Sequence, residues 1–331
     1  MHRAIRLAEW FYEDGIGEER AILVENGRIV VARIERHGGM KPGIVAPARL
    51  VTRLVANTRG IVKFADDSEA LLSPLPKGLN EAASLMVEVT RAAIDEKSRF
   101  KLPVVKGVPD QAPRSAPTLL EQIGKPAMRC NAHEQDHFEA FGWSELLEEA
   151  RTGYVAFAGG TLQIALTPAM TLIDVDGDLA APLLALVAAT AAAKAIRRFD
   201  LQGNIGIDFP TLEAKSDRQA ATEAFDQALF GPCERTVING FGFMQILTRR
   251  TRQSIPEMVQ YRPALAEALA LLRRAERNHS TGAMTLVAHH TVIAQIEPGW
   301  ITMLARRAGR AVSLRVDPRP AIGAGYVEAT A

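Results

Sequence analysis

A chain of 331 residues, 47% hydrophobic and 23% charged, is long enough to bury a real core and has room for two or three domains. Its net charge of +1 argues against a uniformly basic nucleic-acid clamp, and no apolar run reaches the ~20 residues that span a bilayer. The opening Met1-His2-Arg3 lacks the apolar stretch of a secretory signal, and Cys130 and Cys233 lie far apart in no metal-ligand spacing, so a reducing cytoplasm is the expected compartment.

In chain order, residues 1–35 read as a strand region with a hairpin, because 21–24 and 28–32 are apolar runs flanking Glu25-Asn26-Gly27. Short β-rich runs separated by Gly, Pro and Asp continue to about residue 90, and 36–104 are expected to form a small antiparallel barrel of the OB type. Pro103, Pro109, Pro113 and Pro117 then predict a break, and 105–140 are assigned to a linker. From 141 to 260 the pattern becomes α/β. Helices are expected at 143–150, 183–198, 217–229 and 244–252, and strands at 160–166, 171–175, 203–209 and 235–239. A small C-terminal α/β domain at 261–331 repeats the alternation, with helices at 264–277 and 300–308 and strands at 283–288 and 311–316. Charge is uneven along this order. Residues 1–107 hold 17 basic and 14 acidic residues, 261–331 hold 9 and 5, and 108–150 hold 3 and 8. Mildly basic ends permit RNA contact, and ordinary solvated faces explain them equally well.

The chemistry-bearing run is Leu172-Ile173-Asp174-Val175-Asp176-Gly177-Asp178. On a strand Asp174 and Asp176 share one face while Ile173 and Val175 share the other. The next strand ends in Ile205-Gly206-Ile207-Asp208, and a helix between the two predicts a parallel crossover with Asp174 and Asp208 at one sheet end. Adjacent carboxylates on a rigid edge suit Mg²⁺, which needs only one or two of them. Spacing alone equally allows that these acids cap a turn or the following helix.

Several runs then occur in a fixed order: Gly159-Gly160-Thr161-Leu162, Leu166-Thr167-Pro168-Ala169-Met170-Thr171-Leu172-Ile173-Asp174, Arg198-Phe199-Asp200-Leu201-Gln202-Gly203-Asn204-Ile205-Gly206-Ile207-Asp208-Phe209, Phe241-Gly242-Phe243 and Arg249-Arg250-Thr251-Arg252-Gln253-Ser254. Over 159–254 this order resembles the nuclease subdomain of the ribonuclease E/G family. The resemblance extends to the family's opening strands at 9–35, its S1-type barrel at 36–104 and its small C-terminal domain at 262–331. It implies a mixed α/β fold whose nuclease core has RNase H-like or DNase I-like β-α-β elements. It also implies that Asp174 and Asp208 bind the catalytic Mg²⁺, with Asp176 supporting or joining them. Arg249, Arg250 and Arg252 resemble the family's RNA-contacting cluster. Arg91, Arg99 and Lys101, at the end of the barrel, are read as candidates to track an RNA backbone.

The chain departs from the family's pattern at several points. Asp176 replaces an orienting Asn, Asn239-Gly240 replaces Ser-Arg, and Thr248 replaces an Arg. The barrel lacks the base-stacking aromatic pair, with Phe64 the nearest survivor. The segment that senses a 5′-monophosphate is missing, and no Cys-x-x-Cys follows Ser254, so a zinc-linked tetramer is not expected and a homodimer stays open. The expected activity is Mg²⁺-dependent hydrolysis of single-stranded RNA by an endoribonuclease, with no membrane partner. The alternative is an RNA-binding or scaffold member with weakened catalysis. A third reading comes from His133-Glu134-Gln135-Asp136-His137, which fits the HExxH pattern of zinc metalloproteases, with His133 and His137 as ligands and Glu134 as base.

Overall fold

The computed structural model describes residues 8–54, 58–97, 100–229, 231, 233–319 and 321–330; Met1, His2, Arg3 and Arg99 lie outside them. The described chain opens with β1 (Glu9–Asp14), β2 (Glu18–Glu25) and β3 (Arg28–Arg36). Asn26 and Gly27 join β2 to β3 with φ of 53° and 75°. A two-residue hairpin turn demands two positive φ values, which Asn and Gly adopt at least cost.

Next come β4 (Val45–Leu54), β5 (Arg59–Lys63), β6 (Glu69–Leu72) and β7 (Ser84–Arg91), then a two-stranded ribbon of β8 (Ile94–Asp95) and β9 (Phe100–Lys101), then β10 (Val104–Gly107). Strands β10-β6-β5-β4-β7 form a closed five-stranded barrel around Leu50, Val62, Leu72, Val87, Val89 and Val105, with Phe64 packed against that core. Of the four prolines expected to break this region, Pro113 and Pro117 lie in irregular chain, while the other two bound a strand. Pro103 precedes β10 and Pro109 follows it, so no ladder hydrogen bond is lost inside the strand. The run 105–140 therefore supplies a barrel strand and further elements rather than a plain linker.

Those elements are α1 (Leu119–Ile123), β11 (Ala127–Arg129) and α2 (His137–Ala140). β11 pairs parallel to β1 and extends the first sheet to the order β11-β1-β2-β3. After α3 (Trp143–Thr152) come β12 (Tyr154–Phe157), β13 (Gly160–Leu166), β14 (Thr171–Gly177), α4 (Ala181–Arg198), β15 (Asn204–Asp208), α5 (Lys215–Ala228), β16 (Glu234–Arg235) and β17 (Phe243–Leu247). Their strands make one sheet in the order β12-β13-β14-β15-β17-β16. The helix expected at 244–252 is a correction: Met244 and Ile246 are buried while Gln245 and Leu247 are exposed, the period of two that defines a half-buried strand. Of the strand expected at 235–239 only Arg235 is in a strand, as the last residue of β16.

One continuous core joins the first sheet, α3, α4, α5 and one face of the six-stranded sheet. Ala185, Ala188, Ala189, Ala192 and Ala193 of α4 are fully buried, and such short side chains let a helix sit close between two layers. The chain closes with α6 (Ile255–Tyr261), α7 (Pro263–Glu276), β18 (Ala283–Ala288), α8 (His290–Ile293), α9 (Pro298–Ala308), β19 (Val312–Val316) and β20 (Tyr326–Thr330), whose sheet order is β19-β18-β20 around a second core. No helix among the described residues is long and apolar enough to cross a membrane.

Candidate active site

Strand β14 runs parallel to β15 through the α4 crossover, and Asp174 stands directly opposite Asp208. Register partners in a sheet share a face, with neighbouring strands ~4.8 Å apart. Following the pairings outward gives one row across five strands: Tyr154, Gln163, Asp174, Asp208 and Phe243. Ile173, Val175, Ile205 and Ile207 point the other way, into the core, which leaves the acid row on an open face. Asp176 lies two residues beyond Asp174 on that face, opposite Thr161.

Asp174, Asp176 and Asp208 are all exposed, and among the described residues none has a hydrogen-bond or ion-pair partner. Two carboxylates about 5 Å apart repel by about 1 kcal/mol in bulk water and by several times that near a protein surface. A cation between them would turn that repulsion into attraction. The donor set suits a hard divalent ion that keeps most of its waters, because such an ion takes only one or two carboxylates. No group of three or more His, Cys, Asp or Glu gathers to hold a metal among the described residues, so a closed cage of protein ligands is not what this site offers. Beside Asp174, the buried Oε1 of Gln163 has no hydrogen-bond partner.

The row ends in an unusual loop. Asn239 Oδ1 accepts hydrogen bonds from the backbone N–H of Phe241 (2.9 Å) and Phe243 (3.0 Å), and the Phe209 N–H donates to the Gly242 carbonyl (3.0 Å). Gly242 has φ of 88°, and a Cβ there would lie 2.3 Å from the Phe209 carbonyl oxygen, so only glycine fits. The loop is thereby pinned to the residue that follows Asp208, and it presents Phe241 at 86% exposure. Phe243, half-buried, lies down against the open face of the sheet instead. Its ring occupies the space over Gly206, where a Cβ would come within 2.5 Å of a ring carbon and 3.0 Å of Met170 Sδ.

At the other end of β15 the arginine cluster is largely engaged. Arg252 Nε donates to Asp200 Oδ2 (2.6 Å), Arg33 reaches the other oxygen of Asp200 (3.2 Å), and Asp200 itself is buried. Burial pushes the Arg33 guanidinium below its usual range, and the Asp200 carboxylate pulls it back up. Arg250 is ion-paired with Glu257, whereas Arg249 is exposed and has no partner among the described residues. Arg91 donates to the Leu102 carbonyl (2.7 Å), with its guanidinium lowered by burial and by nearby Arg250, and Lys101 is paired with Glu96. Because β17 is antiparallel to β15, Leu247 sits beside Asn204. The cluster that follows β17 is therefore more than four residues of strand, over ~13 Å, from Asp208.

The HExxH reading fails on geometry. Helix α2 begins only at His137, with Asp136 as its N-cap accepting from the Glu139 N–H (3.1 Å). His133 and His137 thus do not stand one turn apart on a helix. The His137 ring packs on Phe11 (centroids 5.3 Å apart), and Asp136 pairs with Arg277 (2.9 Å).

Tyr154 and Gln163 were not singled out by the sequence. Alternation places each on a strand face, but only the antiparallel pairing of β12, β13 and β14 brings them level with the acids. Among known protein families, residues 74–253, more than half of the chain, match the family described as Ribonuclease E/G family. No curated protein matches the chain.

Proposed function

This chain belongs to the ribonuclease E/G family, and from that premise we propose that it is a Mg²⁺-dependent endoribonuclease acting on single-stranded RNA at the Asp174–Asp208 pair. The observation that carries the proposal is the register of these two exposed carboxylates, without partners among the described residues, on adjacent parallel strands. Asp174 and Asp208 would hold the ion, and Asp176 would add negative field or accept a hydrogen bond from one of its waters. When bound, Mg²⁺ supplies Lewis acidity and neutralises charge on the phosphodiester.

The chain's own contribution is position. The core packing beneath β14 and β15 fixes both carboxylates on rigid strands, so little reorganisation accompanies the reaction. In-line attack of water forms a new P–O bond and breaks the bond to the 3′ oxygen, leaving a 3′-hydroxyl and a 5′-phosphate. The five-stranded barrel is read as an S1-type OB domain that holds the strand electrostatically rather than by stacking, since Phe64 is spent on the barrel core.

A second reading, an RNA-binding member with weakened catalysis, draws on Asp176, an acid that can only accept hydrogen bonds where the resemblance expects an amide able to donate one. One experiment separates them. Labelled single-stranded RNA should be cut with Mg²⁺ and left intact with chelator. Asp174→Asn and Asp208→Asn should each slow cleavage at least a hundredfold with unchanged melting temperature. If both variants cut like the unaltered protein, the assigned site is wrong.

A further inference from the structure

We propose that Phe241 and Tyr154 are stacking platforms for unpaired nucleobases on either side of the phosphate held at the acid pair, so that the RNA strand crosses the sheet along the acid row. The proposal rests on the nuclease reading above and specifies how that site takes its substrate.

Single exposed apolar residues are ordinary on protein surfaces. These two differ by place and by what holds them. At 86% and 61% they are more exposed than Phe100, at 58%, and than Tyr326, at 40%. Tyr154 is a member of the acid row, on edge strand β12, two strands from Asp174. Phe241 belongs to the loop bonded to Phe209, immediately after Asp208. Two hydrogen bonds to the Asn239 side chain and a glycine at φ of 88° hold that loop in shape. Nearly all of the Phe241 ring is left in water, so packing does not account for the arrangement.

Electrostatics point the same way. A strand led along β15 toward the arginines would find Arg250 and Arg252 already paired with Glu257 and Asp200, leaving Arg249 alone of the three without a partner among the described residues. Flat apolar rings attract any base through its π-face, irrespective of sequence, and need no positive charge. Between the two rings lie the acids, where a cation and a phosphate would meet. On this arrangement the site grips bases at its flanks and reacts at its centre.

The test measures binding of a fluorescein-labelled 12-nucleotide RNA to the Asp208→Asn protein, with chelator present so that the strand stays intact. Phe241→Ala and Tyr154→Ala should each weaken binding about tenfold, while Phe241→Trp keeps it. Phe241→Leu should behave like Phe241→Ala, because leucine keeps apolar area but loses the flat face. Both positions are exposed, so circular dichroism and melting should be unchanged. Alanine variants within twofold of the parent, or a leucine variant that binds as tightly as phenylalanine, would overturn the stacking role. Should Asp208→Asn still cut RNA when Mg²⁺ is supplied, the acid-pair reading falls, and the affinity ratios measured with chelator still decide whether the rings stack.

Discussion

At one end of β15, Asp208 faces solvent beside a second carboxylate and has no partner among the described residues. Just before the other end, Asp200 is 7% exposed and accepts from Arg33, Arg252 and Gln202. The two residues are chemically identical and stand eight positions apart, yet the fold supplies cations to one and withholds them from the other. A buried carboxylate must be paired or its burial is too costly. An exposed one can stay unpaired, and two side by side remain poised for a cation from outside. Asp200 thus ties β3, the end of α4 and the 249–252 segment together, while Asp208 is tied to nothing among the described residues.

The sharpest way to break this contrast is Asp200→Ala. It strands two partly buried guanidinium groups without their counter-charge, and the expected loss is about 3 kcal/mol of stability. Chemical denaturation checks it, and a loss below about 1 kcal/mol would show that Asp200 is no more structural than Asp208. Gly206→Ala probes the floor between the two ends. Its methyl group would press on the Phe243 ring and Met170, costing about 1–3 kcal/mol. Because Phe243 is the register partner of Asp208, cleavage should fall as well, which a combined melt and cleavage assay would read. The smallest effect is expected from Arg249→Ala. This arginine has no partner among the described residues, so stability should not change, while the slope of log RNA affinity against log salt should fall by about one unit if it contacts a phosphate. A destabilised Arg249→Ala protein would show that the arginine cluster is structural throughout.

How much of this was legible beforehand depends on sequence separation. The Asn26-Gly27 turn, α4 and the facing of Asp174 and Asp208 follow from local alternation and one crossover, and all were accessible to inspection of the chain. The partners of Arg250 and Arg252 were not. Arg252 and Asp200 are 52 residues apart, and nothing local distinguishes a paired arginine from a free one. Residues 243–247 misled for another reason. Five residues are too few to separate a period of 2 from one of 3.6, and the helix expectation yielded only when the ladder with β15 was known. The acid row was partly visible: Asp174, Asp208 and Phe243 lie in motifs, and the flank formed by Gln163 and Tyr154 comes from pairings between strands.

The central claim is that Asp174 and Asp208 together hold a divalent cation. The most direct measurement is a titration with Mn²⁺ as a paramagnetic stand-in for Mg²⁺, following free ion by electron paramagnetic resonance, without RNA. The unaltered protein should take up one ion, Mg²⁺ should displace it, and Asp174→Asn or Asp208→Asn should weaken uptake at least tenfold, with Asp200 untouched in both. Equal Mn²⁺ uptake by the double variant would contradict the account, because the ion would then be held elsewhere and the paired carboxylates would have no metal to serve.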